Sequence, residues 1–332
     1  MKQFLRKLTA FAVLQLVVVA FVLSYGQPDK ENHYLFSIVD KIDLLEEPSE
    51  KERLIVVGGS SVAFGIDSQM ISNQLEREPI NVGVHGGLGL RFYLKLVEPR
   101  VQSGDLIVLA PEYNLMSGSI EADIRSVFAL FERYPELRPL MNNDSSFSNL
   151  KDNLDKNWLW AAHIWTKRAY SRIWNSDTDS GRVKLYDRRN FSAKGDFLGH
   201  LNRKPNRKPG DQFIKFREHK ADESIELINE FASKCQAKGA TVAMIFPPMM
   251  ERVYSEFESD VEGLAEYYRD QLNLPILNTW EESVFLDEMF FDSPMHLTKH
   301  GRKLHSERIA MRLFQFEMGT SQQPAEPETV LR

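Results

Sequence analysis

The stretch LIVVGGSSVAFG, Leu54 to Gly65, poses the central question: four apolar residues stop abruptly at two glycines and two serines. A short apolar run bounded by glycine reads as a strand buried on both faces of a parallel sheet. The residues just after it then lie at its carboxyl end, where open α/β sheets place their ligands. Working outward, PINVGV at 79–84 and DLIVLAP at 105–111 repeat the pattern. Between the runs, Met70, Ile71 and Leu75, then Leu94, Leu96 and Val97, carry helical apolar spacing. Strand, helix, strand, helix, strand implies a parallel sheet.

The alternation breaks from Leu115 to Phe213, too long for an ordinary connection, and reads as an insertion with some helical structure of its own. It holds four of the five tryptophans (Trp158, Trp160, Trp165, Trp174) and ends in LNRKPNRKPGDQ. The basic cluster there, Arg203, Lys204, Arg207 and Lys208, suits either a solvated loop or a contact with an anionic polysaccharide or lipid headgroup. The sheet pattern then resumes. Ile225, Ile228, Phe231, Ala232 and Cys235 recur at helical spacing up to a stop at Gly239, ATVAMIFPP (240–248) is a buried strand, and PILNTW (275–280) is a short last one. After His300 a final helix turns Leu304, Ile309 and Leu313 inward. The expected fold is a three-layer α/β/α sandwich of the flavodoxin-like type with about five parallel strands.

The N-terminus has a different character. Lys2, Arg6 and Lys7 precede an apolar span without a charge from Leu8 to Gly26. This reads as an uncleaved signal anchor with a cytoplasmic N-terminus; a removable signal peptide is the alternative, Ser24 and Gly26 being small enough for cleavage. Either way the rest of the chain is expected on the extracytoplasmic side of the membrane. The resulting organisation is an anchor at 1–26, a charged tether at 27–52, the α/β domain at 53–317 with its insertion at about 115–213, and a disordered tail at 318–332. The single cysteine, Cys235, cannot form an internal disulfide and reads as a small core residue.

Composition narrows the function. A net charge of −6, from 41 basic and 47 acidic residues without a dominant basic block, lacks the electrostatic footprint of a nucleic-acid binder. No Gly-Lys-Ser/Thr follows a glycine loop, GGLGLRF lacks the third glycine of a dinucleotide fingerprint, and neither Ser60 nor Ser61 sits in G-x-S-x-G. No cofactor is implied.

Four short blocks remain, each near a strand end: Ser60 in VVGGSS, Gly86 in NVGVHGG, Asn114 in LAPEYN, and Asp292 with His296 in FFDSPMHLTKHG. Together they supply a nucleophile, oxyanion donors, a base and a carboxylate to orient it. Ser61 is the alternative nucleophile. Asp292, His296 and His300, four apart, would suit zinc if the segment were one helix, but Pro294 and Gly301 oppose that and no metal is expected.

In these blocks, over about residues 53–116 and 240–315, the chain resembles the SGNH (GDSL-like) hydrolases, named for their serine, glycine, asparagine and histidine. The resemblance implies that Ser60 is the nucleophile and His296 the base. Backbone N–H groups of Ser60 and Gly86 with the Asn114 amide would form the oxyanion hole; His85, beside Gly86, reads as a pocket-wall residue placed to contact substrate. Gly59 replaces the aspartate of the Gly-Asp-Ser block, Pro111, Glu112 and Tyr113 precede Asn114, and Asp292 lies four residues before His296, where the family usually spaces its acid by three. GGSSVAFGID and D-S-x-x-H-L-T-x-x-G look most like membrane-anchored envelope members that acylate or deacylate surface polysaccharides. The implied function is serine acyl-ester hydrolysis or O-acyl transfer on an acylated carbohydrate. A non-catalytic glycan-binding protein, working with protein partners of polysaccharide assembly, is the alternative. Catalysis requires Ser60 Oγ within hydrogen-bond reach of a His296 ring nitrogen, allowing for loosening without ligand.

Overall fold

In the computed structural model the described residues are 2–25, 32–118, 120–123, 126, 130, 133–140, 166, 183–205 and 216–319. They divide into two units, Met1–His33 with Asn143–Lys184, and Tyr34–Asn142 with Leu185–Arg332. In the first unit, helix α1 (Lys2–Tyr25) is long and apolar enough to cross a membrane, as the charge-free run from Leu8 requires.

The second unit is an α/β domain built on a parallel sheet of four strands in the order β2-β1-β3-β4. These are β1 (Arg53–Gly58), β2 (Glu78–Asn81), β3 (Leu106–Ala110) and β4 (Thr241–Met244). Val56 faces Asn81 across β1 and β2, and Gly58 faces Ala110 across β1 and β3. The expected last strand is reduced to a single parallel bridge between Met244 and Ile276, with Met244 N–H donating to Pro275 O and Leu277 N–H to Met244 O. Pro275, lacking an N–H, cannot extend that ladder. A separate parallel pair joins β5 (Met249–Met250) to β6 (Val284–Phe285).

The continuous apolar runs have the physical cause expected: alternate residues of each strand enter two different cores. Ile55, Val57, Ile107, Leu109, Val242 and Met244 pack with α2 (Ser37–Glu46), α5 (Leu90–Val97), α7 (Glu218–Ala237) and α8 (Glu251–Gln271). Leu54, Val56, Leu106, Val108 and Ala110 face Ile71 of α4 (Ser68–Leu75) and Ile309, Ala310 and Leu313 of α9 (Lys299–Glu317). Short helices α3 (Ser60–Gly65) and α6 (Tyr113–Ser117) open directly after β1 and β3. Cys235 is buried in the first core, which pushes its thiol up to about 12.

Two expected boundaries move. The tether at 27–52 is not a tether over its second half: Tyr34, Phe36, Ile38 and Leu45 are buried, and Leu45 O accepts from the buried guanidinium of Arg53, which is paired with Asp105. The charged residues around α2 hid its one apolar face. Lys41, in the middle of that helix, is fully buried and donates to Asn81 O and Gly195 O. The insertion is also not wholly separate, because its start forms α6 and its return, 185–201, is built into the domain. There the buried Asp196 accepts from Ser68, Asn81 and Arg302. The four tryptophans, Arg207, Lys208 and the tail from 320 lie outside the described residues; Arg203 and Lys204 are exposed.

Candidate active site

Three of the four blocks stand at the carboxyl ends of neighbouring strands: Ser60 after β1, Gly86 after β2 and Asn114 after β3. The fourth, carrying His296, precedes α9. One cavity of about 690 Å³ is lined by Ser60, His85, Gly86, Asn114 and His296, with Tyr34, Glu112, Tyr186 and Met295 among the remaining walls. All five residues expected at its surface from the sequence are therefore brought together, and Asp292 stands behind His296.

The histidine is held on three sides. Its Nδ1 lies 2.7 Å from Asp292 Oδ1, and since a carboxylate only accepts, Nδ1 is the donor, which leaves Nε2 as the lone-pair nitrogen of the neutral ring. The Tyr186 hydroxyl donates to the other carboxylate oxygen at 2.6 Å. The ring stacks on Phe64, centroids 3.8 Å apart and planes 9° from parallel. Phe64 is four residues after Ser60 on α3, so one helical turn carries both the serine and the surface on which the histidine lies. Burial alone would raise the Asp292 carboxyl, but hydrogen bonds from His296 and Tyr186 outweigh it and hold the group below its ordinary range.

The four-residue spacing of Asp292 and His296 comes from a closed loop. Phe290 and Leu297 form an antiparallel bridge and Phe291 N–H donates to His296 O at 2.7 Å, which folds the segment back so that the two side chains meet. His300 stands exposed in the first turn of α9. Among the described residues no three side chains of His, Cys, Asp and Glu gather as ligands for a metal ion.

Ser60 and Ser61 are placed differently. Ser60 is half-buried and lines the cavity, whereas Ser61 is 1 % exposed with its hydroxyl turned into the interior. The Gly86 turn is braced from behind: Tyr34 OH donates to Val84 O at 2.5 Å, and Tyr93 OH accepts from His85 N–H at 2.8 Å. Among the described residues, the N–H groups of Ser60 and Gly86 and the Asn114 amide have no hydrogen-bond partner, and no hydrogen bond joins Ser60 Oγ to His296. The chemistry available is that of a protein-oriented base, an uncommitted hydroxyl and three uncommitted donors around one cavity.

Reasoning from the sequence missed Phe64, Glu112 and Tyr186. Glu112 stood in the asparagine block, two residues before Asn114, and its position was the available signal. Tyr186 comes from the return of the insertion, and nothing in the local sequence marks it. The chain matches no known family model, and no curated protein matches it in sequence.

Proposed function

We propose that this chain is a membrane-anchored serine acyl-ester enzyme of the SGNH (GDSL-like) type, a hydrolase or O-acyltransferase acting on an acylated envelope or exported polysaccharide. The observation that carries the reading is the Asp292–His296 pair opening on the same cavity as Ser60, Gly86 and Asn114. In this reading Ser60 Oγ attacks the ester carbonyl while His296 Nε2 takes its proton. The oxyanion is held by the N–H groups of Ser60 and Gly86 and by the Asn114 amide, and the leaving hydroxyl recovers the proton. Water or a sugar hydroxyl then attacks the acyl-serine and releases Ser60. The strand order β2-β1-β3-β4, with the Met244–Ile276 bridge where a fifth strand would stand, supports a flavodoxin-like sandwich. The basic flank of α1 supports a cytoplasmic N-terminus and an extracytoplasmic domain.

The missing Ser60–His296 hydrogen bond favours a second reading, in which the same cavity binds a glycan without chemistry. A serine-reactive fluorophosphonate with peptide mapping separates the two. Acyl chemistry requires an adduct on Ser60 that is lost in His296→Ala; folded protein that takes no adduct supports the binding protein.

A further inference from the structure

We propose that Glu112 is the positioning residue of the Ser60 turn, a role that rests on Ser60 being the nucleophile. The side chain enters from the turn after β3 and is 2 % exposed. Its Oε2 accepts the N–H of Gly59 and its Oε1 the N–H of Ser61, each at 3.1 Å. The carboxylate therefore clasps the N–H groups of the residues on either side of Ser60. Of the three consecutive N–H groups at 59, 60 and 61, only that of Ser60 is left without a partner among the described residues.

The same carboxylate reaches the second turn. A Cβ added to Gly86 would come 3.3 Å from Glu112 Cδ, and one added to Gly59 would stand 2.6 Å from Gly86 Cα. The two glycine turns thus close on each other around one side chain, and this contact requires glycine at 59, where a Cβ would collide with Glu112 Oε1, and leaves only tight room for one at 86. Its negative charge opposes an oxyanion nearby, so Glu112 serves the site through the geometry it holds and not by stabilising that charge.

Only a carboxylate satisfies this arrangement. Two N–H groups converge on it and both oxygens must accept, whereas a carboxamide of the same shape has one acceptor and turns an NH2 donor toward a second donor. Glu112→Gln thus releases one side of the clasp with almost no change in volume. Glu112→Asp keeps both acceptors on a shorter arm.

The test uses the full chain in detergent and compares wild type, E112Q, E112D and Ser60→Ala. It follows fluorophosphonate labelling, p-nitrophenyl acetate turnover, and amide hydrogen exchange in the peptide covering 54–66. In E112Q, labelling and kcat are expected to fall at least about tenfold, because small misplacements of a reacting group are costly. KM should stay within about twofold, and exchange should quicken at whichever of Gly59 and Ser61 loses its acceptor. E112D should recover part of the rate. Wild-type labelling in E112Q, or unchanged exchange at those two amides, overturns the proposal. A wild-type chain that takes no label overturns the nucleophile reading instead, and exchange at 59 and 61 then reports separately whether the clasp exists.

Discussion

Replacing Asp292 by Asn tests the proposed base most directly, because it keeps the shape of the side chain and changes only charge and donor pattern. Asp292 accepts two short hydrogen bonds, from His296 Nδ1 at 2.7 Å and from Tyr186 OH at 2.6 Å. Loss of one charge-assisted hydrogen bond is worth about 1.5–3 kcal/mol, which at about 1.4 kcal/mol per power of ten is a fall of roughly 10- to 150-fold in rate. An amide NH2 facing Nδ1 also favours the tautomer with its proton on Nε2, the nitrogen that has to receive the proton of Ser60. Where that tautomer dominates, the loss approaches about 10⁴-fold. Asp292→Ala removes the carboxylate without offering a competing donor and should cost less than His296→Ala, which removes the base itself. The assay is the second-order rate of fluorophosphonate labelling, with thermal unfolding to show that each variant is folded. An Asp292→Asn rate within threefold of wild type, in folded protein, would refute the assignment of Asp292 as orienter.

Two further outcomes follow from the buried charges and histidines. Asp196→Asn removes the nearer of the two carboxylates at the buried Arg302 guanidinium, 3.0 Å away against 3.7 Å for Asp67 Oδ2. Losing that charge-assisted hydrogen bond costs about 1.5–3 kcal/mol, a drop of roughly 3–12 °C in Tm for a domain of this size, and a change under 2 °C in a melting scan would contradict it. Burial lowers His200 to about 3 and His305 to about 4, so both stay neutral in the fold while the unfolded chain protonates them below its ordinary value near 6.5. The unfolded state then binds the extra protons, and stability falls as the pH drops from about 6.5 toward 4, by up to about 1.4 kcal/mol per pH unit for each histidine. His305→Gln should flatten the Tm–pH profile over that window; an unchanged slope would exclude His305 as a contributor.

The sequence by itself was sufficient for the α/β class, for the existence and order of four strands, two of which end three or four residues earlier than the apolar runs, for the membrane-length helix and for the residues gathered around the cavity. Each of these rests on local information. Strands buried on both faces must read as unbroken apolar runs, and groups at strand ends are brought to one edge simply because the strands are parallel. Tertiary structure decided the rest. Asp292 could be tied to His296 only once the bridge between Phe290 and Leu297 folded that loop, since a four-residue spacing outside a helix implies no contact. That Ser60 lines the cavity while Ser61 is buried depends on which side of one short helix faces it. Lys41 and Asp196 fall in the stretches that read as a tether and an insertion, and are interior groups because partners far along the chain, Asn81, Gly195 and Arg302, stand where they fold. Glu112 is the clearest case: one carboxylate in a loop has no signature of its own, and its place follows from two backbone N–H groups that lie more than fifty residues away in sequence and 3.1 Å away in space.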